Sequence, residues 1–318
     1  MNVVALFVQR KLTRWRKGNI MSNKYTRRSF LTTLGALGAA ASFDSVDWLF
    51  ADDAPNMPKK TDSLSSKPVL TIAHVCDPQF GFGLVKTEEK DVYAHDLERF
   101  ERELELINAS KPDVVFFAGD MCNAKSDLPK DWPRLLKAIE SPVLVAPGNH
   151  DIPDPVVKKD VDAFCEVFGA EYASLTVNGW KLIVVNSQYC RDTKETELYE
   201  RQLDWFQKEI ASAKEAGTPV ILGSHVPPFV ANLEEKDEYF NFPTKVRQDY
   251  LDYSLDAGCK FYLAGHTHTT LEREYRGIQI LNGETTSRNF DKRSYGFRML
   301  KIDAEMNYEW NFVEVEHA

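Results

Sequence analysis

The stretch PVLTIAHVCDPQ, residues 68–79, decides the fold class. Its first nine residues form an apolar run rich in β-branched side chains, the pattern of a buried strand. The run ends on a carboxylate, Asp77, and Gln79 follows two residues later. The same signature recurs at DVVFFAG (113–119), PVLVAPG (142–148), PVILGSH (219–225) and CKFYLAG (259–265). Helical spacing lies between these runs. Leu97, Phe100, Leu104 and Ile107 share one face, as do Tyr199, Leu203, Phe206 and Ile210. DWPRLLKAIE (131–140), KKDVDAFCEVFG (158–169) and residues 244–257 also read as helices, and Gly169, Gly217 and Pro219 supply stop signals. YASLTVNGWKLIVVNS (172–187) reads as two strands around an Asn-Gly turn. From 271 onward, LEREYRGIQIL, YGFRMLKID and NYEWNFVEV are strand-like. Strand–helix alternation followed by a strand-rich tail predicts an α/β fold, with two sheets packed together and helices outside.

Composition narrows the function. The 318 residues carry a net charge of −9 and are 43% hydrophobic, enough for a sizeable core. The charge is unevenly spread. Residues 1–34 hold eight Lys/Arg and no Asp/Glu, whereas 52–318 hold 31 Lys/Arg against 46 Asp/Glu. So acidic a body argues against nucleic acid as the main partner. An anionic substrate stays open, because a bound metal can reverse the local field. The five cysteines are scattered and lack zinc-type spacing, so neither a disulfide framework nor a cysteine metal site is expected.

The basic segment has a separate reading. In KYTRRSFLTTLGALGAAASF (24–43), Arg27 and Arg28 precede an apolar stretch that ends at Phe43. That stretch is shorter than the roughly 18 residues a membrane span needs. It reads as a twin-arginine (Tat) signal peptide, so export to the periplasm or another extracytoplasmic space is expected, with no stable membrane span. Cleavage after Ala41 or after Ala51 both fit, and Met21 is an alternative start. Residues 1–51 are thus assigned to the basic segment and signal, 52–68 to a polar linker, and 69–318 to one folded domain.

Five polar clusters each follow a predicted strand: DPQ (77–79), GDMCN (119–123), GNHD (148–151), GSH (223–225) and GHTH (265–268). In open α/β sheets, ligands gather beyond the carboxyl ends of strands. Singly these clusters read as turns and caps. Together they hold four of the seven histidines with Asp, Asn and Gln, in one order and always after a strand.

This ordered set resembles the calcineurin-like metallophosphoesterase superfamily, over nearly all of 69–318. The resemblance implies a four-layer α/β/β/α sandwich and a hydrolase of phosphate esters, a metallophosphatase. It implies two divalent ions, Mn, Fe or Zn, with Mg also admissible. Asp120 would bridge them. Asp77, the residue at 79 and His268 would complete the first site; Asn149, His225 and His266 would complete the second. A water activated between the ions would attack phosphorus. His150 would protonate the leaving oxygen, and Asp151 would orient and charge-stabilise His150. Asn123 would contact substrate phosphate or cap the following turn. GETTSRN (283–289), with Arg288, reads as a rim loop.

The first motif departs from the common Asp-x-His. DPQFG is similar to a subgroup of the family, described as serine/threonine phosphatases, in which glutamine stands there. Gln79 either ligates through its amide oxygen or hydrogen-bonds a metal-bound water. A neutral amide oxygen is harder than imidazole, so a looser first site shifted toward Mn or Mg follows.

Overall fold

A computed structural model describes residues 58–64, 66–83, 91–191 and 196–315. The stretch 24–43, which the sequence reads as a signal peptide, lies outside the described residues. Among those described, no helix is long and apolar enough to cross a membrane.

Two six-stranded mixed sheets organise the chain. In the first, β2 (Leu70–Val75), β3 (Val114–Phe117) and β4 (Val143–Val145) run parallel. β11 (Gly296–Ile302) lies antiparallel on the other side of β2, followed by β12 (Asn307–Glu314). A two-residue β1 (Lys59–Lys60) pairs with β12. Ordered pairing therefore begins inside the stretch that the sequence assigns to a linker; two exposed lysines carry no apolar pattern to announce it. In the second sheet, β6 (Trp180–Val184), β7 (Val220–Gly223), β8 (Cys259–Ala264) and β10 (Ile278–Asn282) are parallel. β5 (Ala173–Val177) and β9 (Leu271–Tyr275) close its edges as antiparallel hairpin partners. The Asn178-Gly179 turn has positive φ at both residues, 49° and 80°, as a tight hairpin turn between twisted strands requires.

Alternate residues of each strand enter different cores. Leu70 and Ile72 of β2 meet Phe116, Leu182, Phe261 and Leu263 between the sheets. Ala73 and Val75 face outward onto α1 (Val92–Ser110), whose Phe100, Leu104 and Ile107 are buried there with Trp132 of α2 (Leu128–Ala138) and Phe164 of α3 (Lys158–Phe168). Ile183, Leu222 and Tyr262 of the second sheet pack outward on Phe206 and Ile210 of α4 (Thr196–Ala216) and Tyr250 of α5 (Thr244–Asp256). The period of two in the strands thus generates the four layers expected of this sequence. The parallel strands deliver their carboxyl ends to one edge, and all five polar motifs stand there.

Candidate metal centre

Each site residue enters on a short, constrained connection just beyond a strand. Asp77, Gln79, Asp120, His266 and His268 all have φ between 39° and 67°. Such left-handed backbone is uncommon for side-chain-bearing residues and concentrates at functional sites. Gly148 supplies clearance, because a Cβ there would lie 2.0 Å from Asp120 Oδ1. Gly119 (φ +87°) sits against the His225 ring and Gly148 N, where a Cβ would approach both within 2.8 Å.

Asp120, His225 and His266 are buried, and their donor atoms converge within 4.8 Å of one another. His225 Nε2 stands 3.4 Å from Asp120 Oδ2 and 3.1 Å from Asn149 Oδ1. On the neighbouring side, His268 Nε2 lies 3.5 Å from Asp77 Oδ1. Gln79 N donates to the Asp120 carbonyl at 2.8 Å, which ties the first motif to the second. All seven candidate ligands are therefore gathered around Asp120 and Asp77.

Backbone carbonyls set the histidine rings. His225 Nδ1 donates to Ala118 O at 2.6 Å, His268 Nδ1 to Arg288 O at 2.6 Å, and His266 Nε2 to Tyr239 O at 3.0 Å. Each ring thus commits one nitrogen to a carbonyl and turns the other toward the site, where a cation would displace any proton that nitrogen carries. Charge follows the same layout. Burial opposes ionisation of Asp120, yet the adjacent His225 holds its carboxyl below the usual range. Burial alone would lower His225, but Asp120 outweighs it and carries the ring up to about 9. Burial, with His225 alongside, pushes His266 down to about 3 and keeps it neutral.

Two buried acceptors, Asp77 Oδ1 and Gln79 Oε1, have no hydrogen-bond partner. A buried polar atom without a partner costs about 1–3 kcal/mol. Asp77 Oδ1 lies beside His268, and Gln79 is tied through its backbone to Asp120, so a cation there would suit both orphaned oxygens. Mixed imidazole, carboxylate and amide donors suit Mn, Fe or Zn. The residues present therefore fit the two-ion expectation, in which Asp77, Gln79, Asp120 and His268 would hold one ion and Asp120, Asn149, His225 and His266 the other. Gln79→His should tighten the first site by about tenfold or more, roughly 1.4 kcal/mol, and shift its preference toward Zn. Chelator competition measures this; unchanged affinity and preference would remove Gln79 from that ion.

His150 stands at the site without joining the ligands. Its backbone N–H donates to Asp120 Oδ1 at 2.8 Å, and its ring Nδ1 lies 2.8 Å from Asn123 O. That contact gives Asn123 a role that neither sequence reading named, and it corrects the expectation for Asp151. Asn123 acts through its backbone carbonyl, and its side chain is exposed. Asp151 accepts Met121 N at 2.9 Å and Gly148 N at 2.8 Å, one on each carboxylate oxygen. It clamps two site loops together, and the Asn123 carbonyl orients the His150 ring in its place. Burial and the nearby Asp120 charge push the Asp151 carboxyl up to about 8.

Three supports lacked any sequence signal of chemistry. Tyr239, on the connection between β7 and α5, accepts Asn149 Nδ2 at its hydroxyl (3.0 Å) and His266 at its carbonyl. Ser287 Oγ donates to Asp77 O at 3.0 Å, so the predicted rim loop is a prop for the first site. Asp96 and Arg99 of α1 form a buried pair at 2.6 Å. Asp96 accepts Gly81 N and Gly83 N, and Arg99 Nε donates to Thr286 O at 2.7 Å. This pair cross-braces the segment after Gln79 and the segment before Arg288. The i, i+3 spacing of Asp96 and Arg99 was visible, but such pairs usually sit in solvent.

A family model described as calcineurin-like phosphoesterase matches residues 70–270. The serine/threonine-protein phosphatase CPPED1 of Rattus norvegicus is 28% identical over 248 residues, covering 72% of this chain and 79% of that protein. The 3',5'-cyclic adenosine monophosphate phosphodiesterase CpdA of Escherichia coli strain K12 is 25% identical over 207 residues, 61% of this chain and 71% of that one. The crystal structure of a dimetal phosphatase from Danio rerio superposes with a TM-score of 0.54 at 12% identity, covering 79% of this chain and all of that chain. With the fold, the converging ligands and the matched span in agreement, the chain belongs to the calcineurin-like phosphoesterase family and is a hydrolase of phosphoric ester bonds.

Proposed function

We propose that this protein is an exported metal-dependent phosphatase that cleaves phosphate monoesters with His150 as the proton donor. The observation that carries the chemistry is the pairing of unpartnered buried acceptors, Asp77 Oδ1 and Gln79 Oε1, with the Asp120–His225–His266 cluster beneath His150. Bound cations supply Lewis-acid polarisation of phosphoryl oxygens and make coordinated water more acidic. The chain does the rest. Asp120 holds the His150 backbone in place, and the Nδ1–H donates a hydrogen bond to Asn123 O, so Nε2 is the atom that exchanges a proton with the departing oxygen. Asp151 fixes the Gly148–Asp151 turn on which His150 rides. The exported location rests on Arg27-Arg28 and the apolar run that follows them.

Purified protein supplied with Mn or Fe should release nitrophenol from 4-nitrophenyl phosphate, and more slowly from bis(4-nitrophenyl) phosphate. A preference for the diester would move the substrate class toward that of the bacterial phosphodiesterase relative. No turnover of either ester by metal-replete protein would make the chain a binding protein on this scaffold.

A further inference from the structure

The mouth of the site is walled by aromatic rings, and they stand in two pairs. Phe290 stacks on His268 with ring centroids 4.5 Å apart and planes 10° apart; Phe82 meets the same imidazole edge-on at 5.5 Å. Opposite them, Tyr239 and Phe240 lie 4.8 and 5.2 Å from His266. Phe82 also approaches His150, at 6.2 Å. The imidazoles of His266 and His268 are buried, but the rings above them are not: Phe290 is 49% exposed, Tyr239 51% and Phe240 37%. They are among the few large apolar side chains left in water by the described residues, and all three pack on histidines of the site. The Arg288 guanidinium stands 5.6 Å from the Phe82 centroid and 5.9 Å from that of Phe290, a cation on the first wall.

This arrangement separates floor from walls. The floor is polar and suits phosphate. Whatever is esterified to the phosphate must leave past the rings. Exposed aromatic faces cost free energy in water and recover it by stacking on another flat π system, a contact that tolerates different ring identities. Phosphoserine or a bare sugar phosphate leaves the walls wet.

We infer that Phe82, Phe240 and Phe290 select phosphate esters whose alcohol side carries a flat aromatic ring, whether a nucleobase or a simple aryl group. This inference rests on the phosphatase reading above and specifies its substrate class. Arg288 adds a cation in reach of such a ring or of a second anionic group on it.

The test compares esters that share one kind of leaving alkoxide and differ in the ring. Adenosine 5'-monophosphate is set against ribose 5-phosphate, and benzyl phosphate against cyclohexylmethyl phosphate, on the Mn-loaded full chain. In at least one pair the aromatic member should have a kcat/KM about tenfold higher, and Phe240→Leu with Phe290→Leu should collapse that ratio. Using the ratio cancels any general loss from loosened histidines. The first pair reports a nucleobase, the second a simple aryl ring. Equal kcat/KM within both pairs, or a preference untouched by both substitutions, overturns the inference while leaving the phosphatase reading intact. If no ester is hydrolysed, calorimetric binding of adenosine and benzyl alcohol decides. Affinity lost in the double variant supports the aromatic mouth alone, and absence of binding overturns it together with the phosphatase reading.

Discussion

Asp120→Asn should abolish turnover of every phosphate ester, by about a thousandfold or more, and should lower the bound metal below two ions per chain. The substitution keeps the side-chain volume and leaves an oxygen to accept the His150 backbone N–H. It removes the charge that both candidate ion sites share. Asp120 lies 3.4 Å from His225 in a fully buried setting. Removing one partner of a buried ion pair typically costs about 3–5 kcal/mol, and losing a preorganised electrostatic contact costs about a hundred- to thousandfold in rate. Metal analysis and kcat/KM for 4-nitrophenyl phosphate measure the two losses, and thermal unfolding of the variant checks that it remains folded. A folded variant with two ions and near-normal turnover would take Asp120 out of the shared position.

His150→Ala should behave differently, because it discriminates between substrates. An alkyl phosphate, whose alkoxide departs poorly without a proton, should lose about a hundred- to ten-thousandfold in turnover. 4-Nitrophenyl phosphate, whose leaving group is stable as an anion, should lose far less. Metal content should stay unchanged, since the ring is anchored to Asn123 O and is not among the converging ligands. Equal losses for both esters would assign His150 to substrate binding or loop order.

The difference between what the sequence disclosed and what it hid follows from how each residue contributes. Asp77, Asp120, Asn149, His225, His266 and His268 contribute side chains, and each stands within a few residues of a strand end. Parallel strands bring those ends to one edge, so apolar runs capped by polar motifs disclosed the two-sheet fold and where the polar clusters would gather, while the roles of these residues came from the family resemblance. The orientation of His150 was hidden, because the group that sets it is a peptide carbonyl, which every residue possesses. The resemblance assigned Asp151 to His150; the turn directs its carboxylate to the N–H groups of Gly148 and Met121. Tyr239 lies far from any strand, on a connection with no periodicity, and acts partly through its backbone. β1 is two lysines long, and only its pairing with β12 makes it a strand.

One consequence of the layout is mechanical. The first sheet supplies Asp77, Gln79, Asp120 and Asn149, and the second supplies His225, His266 and His268. Each ion would draw ligands from both sheets at once. The five cysteines are free, so no disulfide ties the sheets together across the apolar layer between Phe116 and Phe261. A filled site therefore acts as a rivet at one end of that layer. Pulling the sheets apart from this edge means breaking coordination bonds on two ions together, whereas at the far edge, among the described residues, packing is joined only by the Lys60–Glu272 ion pair and the Tyr308–Gln279 hydrogen bond. The same atoms that position a phosphate would make the catalytic edge the last part of the molecule to open.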